Sequence, residues 1–410
     1  MSGYLPRLLD SLLAEYLAEL PAVMIVGPRA CGKTTTAARH ANTVIRLDSE
    51  ADAASFRADP DTALRNRAEP VLLDEWQMLP SVMGAVKRAV DTERRPGRFL
   101  ITGSARSDTT DQLWPGTGRV VMLPMYPLTV AEQLGRPTHP IVDRLVAGEP
   151  LHGGNGSAPD LHDYLRLALR GGFPEPALEL GELTARGWLE SYADQIALRD
   201  ARAYGETPDA GRLRRYLEAY ALHSAGTPHD NTLYEAAGIT RKTALAYERR
   251  LSDLLVVDRL PAWSTNRLKR LSRMPRRYVV DSGLLAGILR IGIDDLLSDG
   301  VLLGSMIDTF VVAQLRAEAT VARSRYRLSH LREQNGRREV DVIAEVGGGR
   351  IVGIEIKAAA SVGRSDARHL IWLSEVMEDR FVAGVVLHSG RDTFELADRV
   401  VAAPISTLWA

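Results

Sequence analysis

The sequence predicts an α/β protein in three parts: a phosphate-loop domain, a helical and winged-helix middle region, and a second α/β domain at the C-terminus. Three stretches carry that expectation: GPRACGKT at 27–34, VLLDEW at 71–76 and EVDVIAEVGGGRIVGIEIK at 339–357. The first fits G-x-x-x-x-G-K-[ST], in which glycines let backbone N–H groups curl around phosphate oxygens. Gly27, Pro28, Arg29, Ala30, Cys31, Gly32, Lys33, Thr34 and Thr35 form the expected nucleotide-binding segment. Lys33 would reach the β- and γ-phosphates and Thr34 would ligate magnesium. AVMIV at 22–26 reads as a buried parallel strand and TTTAARHA opens a helix whose N-terminus favours an anion. A chance Gly-rich turn is the alternative, and the flanking strand and helix argue against it.

VLLDEW reads as a buried strand ending in Asp74 for the metal and Glu75 as general base on water. A strand that simply ends in two solvated carboxylates would look the same. RFLITGSA at 98–105 is a third strand ending in hydroxyls, so Thr102 or Ser104 could sense the γ-phosphate or place water. Serine and threonine also end strands because they start turns.

At 410 residues the chain has room for two or three domains. Its 45% hydrophobic and 25% charged content is that of a soluble globular protein. The first residues include acids and form an amphipathic pattern rather than a signal peptide, and no uninterrupted apolar run approaches 18 residues. A cytoplasmic protein with no membrane partner is expected. The single cysteine, Cys31, has no partner in the chain for a disulfide.

The stretches GPRACGKTT, LLDEWQ, LITGSA and GTGRVVMLPMYPLTVAE resemble the ATPase core of an AAA-superfamily group of bacteria and archaea. Members of that group carry a restriction-endonuclease-like C-terminal domain of unknown function. GGFPE at 171–175, WLESYADQIALRD at 188–200, RRYVVDSGLL at 276–285 and REVDVIAE…GIEIK follow the same family's pattern in the same order. The resemblance implies ATP as the nucleotide. It also makes Arg119 and Arg199 candidates for γ-phosphate contact, in cis or from a neighbour in a homo-oligomer; the alternative is two ordinary arginines. A chain with no arginine at the γ-phosphate would be a slow nucleotide sensor.

Between 211 and 264 the pattern reads helix, short helix, turn at Gly238, longer helix, strand, the order of a helix-turn-helix followed by a wing. Arg241 and Lys242 lie near the start of the longer helix. RLKRLSRMPRR at 267–277 contains no acid, so Lys269, Arg270 and Arg273 join them as candidate DNA contacts. A basic run is also often just a solvated face. The histidines His152, His223 and His330 lack metal-ligand spacing and read as surface or structural residues.

The C-terminal stretch is two alternating strands around a triple glycine, a hairpin signature. Centring the loop on Gly348 places Val346 opposite Arg350, Asp341 opposite Glu355 and Glu339 opposite Lys357. Directly opposed carboxylates repel unless a cation sits between them, and a divalent metal would remove that conflict. Nucleases with an Asp…Glu-x-Lys core use this arrangement, with the lysine orienting water or stabilising charge. In GSMIDTFVVAQL the resemblance points to Asp308 as a further carboxylate, where the family usually has the longer glutamate. A solvated hairpin face, or a shifted register, is the alternative.

The expected boundaries are an AAA-type P-loop domain at 1–135, a connector at 136–160, a helical and winged-helix region at 161–300 and a restriction-endonuclease-like domain at 301–410. The expected function is magnesium-dependent ATP hydrolysis coupled to action on DNA. The competing expectation is a nucleotide-gated regulatory or interaction protein whose nuclease-like domain is catalytically inactive.

Overall fold

The computed structural model describes residues 4–103, 116–136, 139–151, 159–199, 210–333 and 336–410. The chain forms two compact units, one of residues through Pro127 with Leu251–Val256, the other of Leu128–Arg250 with Val257–Ala410. The helical middle and the C-terminal α/β segment, expected as separate domains, share the second unit.

The first unit is built on five strands, β1 (Ala22–Val26), β2 (Thr43–Arg46), β3 (Val71–Asp74), β4 (Phe99–Gly103) and β5 (Val121–Pro124). Their order is β2-β3-β4-β1-β5, and every pair is parallel. Parallel sheets are covered on both faces, which is why β1, β3 and β4 are mostly apolar and buried at every position. Helix Val82–Thr92 packs Val82, Val86 and Val90, four residues apart, into the core with Met24, Leu73 and Ile101. One strand, β4, separates the strand of the phosphate loop from the strand ending in Asp74. That spacing leaves room at the strand ends for a ligand between them.

The second unit opens with helices, among them Glu182–Arg199, Ala210–Leu222, Asp230–Ala236 and Arg241–Asp253. Gly238 turns the chain between the last two at φ +63°, in the left-handed region that favours glycine. An antiparallel pair follows, β6 (Val257–Leu260) with β7 (Arg276–Val279). The basic connection between them contains a short helix, Arg267–Ser272, capped by the Asn266 side chain.

Helix Gly300–Val321 then leads into a six-stranded sheet of β8 (Arg327–Glu333), β9 (Arg338–Glu345), β10 (Ile351–Lys357), β11 (Phe381–His388), β12 (Phe394–Ala397) and β13 (Val400–Pro404). The order is β12-β13-β11-β10-β9-β8. The β9–β10 hairpin has the register expected from the triple glycine: Ile351 faces Glu345 and Ile354 faces Val342, with Gly348 and Gly349 at positive φ in the turn. A solvated charged face is what the structure overturns. Strand β10 is flanked by β9 and, in parallel, by β11, and only Lys357 of its seven residues is not fully buried. Helix Arg368–Met377 lies so close over Gly353 that a Cβ there would stand 2.6 Å from the Leu370 side chain.

Helix Gly300–Val321 is long and apolar enough by length and composition to cross a bilayer, but 56% of its most apolar window is buried inside the protein. Its buried face carries Gln314, Arg316 and Glu318, each engaged by other parts of the unit. This is the pattern of a core helix.

Candidate functional site

The phosphate loop leaves β1 and enters helix Lys33–Ala38. Two of its residues stand at positive φ, Ala30 at 58° and Gly32 at 97°. Gly27 is required by close approach, since a Cβ there would stand 2.3 Å from the Met125 carbonyl oxygen. Lys33 is buried and donates to the Gly27 and Pro28 carbonyls at 3.1 and 2.7 Å. Arg29, Ala30 and Thr35 are exposed and Cys31 is buried.

The expected metal residues meet. Thr34 donates its hydroxyl proton to Asp74 Oδ1 at 2.8 Å, although the two are 40 residues apart. Thr102, buried on β4, donates to the same carboxylate oxygen and accepts from the Glu75 backbone N–H at 3.3 Å. Strand β4 lying next to β3 is what places it there. Glu75 has a left-handed backbone, φ 56° and ψ 48°, which turns it off the end of β3, and its carboxylate accepts from Gln77. Gly103 lies under the Trp76 indole at a distance that excludes any side chain.

Two residues around this site went unread in the sequence. Arg7 donates to the Cys31 carbonyl at 2.9 Å and to the Tyr126 carbonyl at 2.8 Å, tying the phosphate loop to the segment after β5. Gln77 holds the expected base. Gln77 sits within LLDEWQ, so the motif contained it; Arg7 had no local signal.

Arg119 does not reach the nucleotide segment in cis. Val121 of β5 pairs with Val23 at the start of β1, so Arg119 lies at the entry edge of the parallel sheet, about 15 Å from the loop at the exit edge by strand rise alone. Its guanidinium is bound to Asp91 at 2.9 Å. Arg199 ends helix Glu182–Arg199, and its side chain, like Ser104 and His152, lies outside the described residues.

In the second unit Asp308, Asp341, Glu355 and Lys357 do converge. Lys357 Nζ is 3.1 Å from Glu355, and Asp341 accepts the Ile356 N–H at 2.9 Å. Burial and the charge on Asp341 push the Glu355 carboxyl well above its ordinary range. Burial and Asp341 likewise push Asp308 up to about 8. Burial opposes ionisation of Asp341 too, but Arg276 and Lys357 outweigh it and hold that carboxyl below the ordinary value. A cation of the chain itself stands among these acids. Arg276, 4% exposed on β7, places Nη1 3.0 Å from Asp341 and 3.9 Å from Asp308 and pairs with Glu339 through Nη2. Among the described residues no group of three acid, histidine or cysteine side chains has the geometry to hold a metal.

The basic run is acid-free only along the chain. Arg270 pairs with Glu345 and stacks 5.3 Å from the Trp263 ring centre, and Arg273 pairs with Glu333 at 3.2 Å. Both arginines therefore face carboxylates of β9 and β8, not an open basic surface. Lys269, Arg241 and Lys242 are exposed. His330 is structural, 1% exposed, with burial and Arg276 lowering its pKa to about 4. His223 is half-buried.

A five-stranded parallel sheet with a phosphate loop after β1 and a Thr34–Asp74 pair across the strand ends defines an AAA-type P-loop nucleotide-binding domain. Residues 19–134 match the family described as AAA domain. Residues 161–295 and 303–408 match two families described as Domain of unknown function, DUF8612 and DUF4143. The chain is 29% identical over 400 residues, 96% of its own length and 82% of theirs, to Uncharacterized protein Mb2031c of Mycobacterium bovis and Uncharacterized protein Rv2008c of Mycobacterium tuberculosis. Two solved structures align more loosely. A single-site variant of RuvB from Thermotoga maritima has a TM-score of 0.30 at 17% identity, covering 66% of this chain and 90% of that one. The ORC1 protein of Aeropyrum pernix, in complex with DNA, has a TM-score of 0.24 at 15% identity, covering 70% and 93%. Scores this low carry no argument about architecture or partners.

Proposed function

We propose that the first unit binds and hydrolyses ATP with magnesium and that its nucleotide state governs a DNA-contacting second unit. The observation that carries the hydrolytic part is the Thr34–Asp74 contact of 2.8 Å at the mouth of the phosphate loop. A hydroxyl and a carboxylate in that position are the donor set magnesium takes in phosphate-loop enzymes, and the Gly27 cradle fits a phosphate chain against backbone. Bound magnesium would neutralise charge on the phosphate oxygens. Lys33 would exchange the Gly27 and Pro28 carbonyls for phosphate oxygens, which offset the cost of its burial. Glu75 would take the proton of the attacking water, oriented by Gln77 and by the Thr102 contact to its backbone N–H. Lys33→Ala and Glu75→Gln are each expected to lower ATP turnover by about 100-fold or more. Nucleotide binding should be lost in the first and retained in the second; undiminished turnover in both would remove the reading.

Arg119 and Arg199 fit this proposal as contacts to a neighbouring copy. Turnover per protomer that rises with protein concentration, and that falls in Arg119→Ala or Arg199→Ala, would support an oligomeric site. The helix order of the middle region, with β6–β7 behind it and Arg241 and Lys242 exposed on the longer helix, supports a winged helix that contacts DNA phosphates. A second reading, a nucleotide-gated switch whose nuclease-like domain cuts nothing, is favoured by one observation, the arginine inside the carboxylate cluster. DNA cleavage assayed with ATP and magnesium or manganese, in the parent and in Asp341→Ala, separates the two.

A further inference from the structure

The segment from Arg270 to Arg276 lies along the β8–β9 pair as a series of ion pairs. Arg270 meets Glu345, Arg273 meets Glu333, and Arg276 meets Glu339 and Asp341. The last of these is the deepest, a 4% exposed guanidinium among carboxylates from helix Gly300–Val321 and β9. Beside it Glu355 Oε1 is buried without a hydrogen-bond partner, as is the Tyr278 hydroxyl two residues from Arg276. The cluster therefore holds two cations of the chain's own, Arg276 against Asp341 and Lys357 3.1 Å from Glu355, and keeps one Glu355 oxygen unpaired beside them. A magnesium ion bound by Asp341 and Glu355 would need their oxygens at about 2.0–2.1 Å. It would then share Asp341 with a guanidinium 3.0 Å away, and the two cations repel.

We propose that Arg276 is the resident counter-cation of the Asp308–Asp341–Glu355 cluster, standing where a divalent metal would bind, and that the cluster accepts such a metal only when this guanidinium is withdrawn. The inference rests on the nuclease-like reading of the C-terminal segment and adds to it the residue that closes the site. It also accounts for the wing run: the basic segment and the acidic strands mask each other, so whatever lifts Arg276 also bares Arg270 and Arg273.

The test is Mn2+ binding to the full chain without nucleotide, read by the EPR signal of free Mn2+ and by the metal-dependent shift in melting temperature. Wild type, Asp341→Asn, Arg276→Gln and Arg276→Gln/Asp341→Asn are compared. Expected is no Asp341-dependent Mn2+ in wild type and one site in Arg276→Gln, at least about ten-fold tighter and lost again in the double variant. The double change Arg276→Gln/Glu339→Gln keeps the local charge balance and gives the answer if the single change does not fold. Arg276→Lys, which retains a cation, should behave as wild type. Asp341-dependent Mn2+ in wild type would overturn the proposal while leaving a nuclease-like metal site standing. No site in either Arg276→Gln variant would overturn both.

Discussion

At the scale of single residues, the nucleotide site is governed by close approaches. Gly27→Ala would push a methyl into the Met125 carbonyl, and because the atom it meets is backbone, the loop must move. ATP affinity is expected to fall by about ten-fold or more in equilibrium binding, with secondary structure retained. Arg7 is a positioning residue. It holds two carbonyls, one on the loop itself, with a planar fork. Arg7→Ala should raise KM for ATP and lower kcat together, and Arg7→Lys should recover only part of both, since an ammonium lacks the fork. A steady-state comparison of the three proteins checks this.

At the scale of elements, two of the sequence stretches that carried the family resemblance turn out to clasp one another. Gly172 donates its N–H to Asp281 at 2.8 Å, the other oxygen of Asp281 caps helix Ser282–Leu289 at 2.8 Å, and Gly172 accepts from the Leu128 N–H at 2.6 Å. Gly171, at φ +68°, and Gly283 pass each other with no room for a side chain on either. GGFPE and VVDSG therefore encode a backbone crossing and not a catalytic group. Gly172→Ala, whose methyl would meet the Leu128 carbonyl at 2.2 Å, should cost about 2–4 kcal/mol by denaturant unfolding. For the wing, Arg241→Ala and Lys242→Ala should each weaken DNA binding and reduce its salt slope by about one. Arg270→Ala and Arg273→Ala should leave DNA affinity unchanged while the unit loses stability. The β9–β10 register was readable because a triple glycine is a local signal; the burial of both faces was not, because it depends on helices Gly300–Val321 and Arg368–Met377 packing on the sheet.

At the scale of the whole chain, the second unit buries acids that titrate near neutrality. Glu318, 3% exposed, accepts the Ile141 N–H at 3.0 Å, and burial pushes it from 4.5 to about 8, against a smaller pull from Arg144 and with a small push from Asp143. Its folded-state pKa lies above the unfolded one, so its contribution is complete below about 4.5 and is lost as pH rises to 8. Glu318→Gln keeps an oxygen to accept the Ile141 N–H and removes the ionisation. The variant should be more stable at pH 8, on the order of 2 kcal/mol, and should lose less stability than wild type between pH 5 and 8. Denaturant unfolding at several pH values measures it.

Sequence alone determined the phosphate loop, the acidic strand end, the hairpin register and the convergence of Asp341, Glu355 and Lys357, because each follows from local spacing and strand alternation. Tertiary structure alone decided which cation faces those acids. Arg276 and Glu339 are 63 residues apart, and nothing in a basic run says whether its charges face solvent, phosphate or a buried carboxylate. Charge complementarity acts through space at a few ångström, and only the folding of β7 against β9 sets that distance.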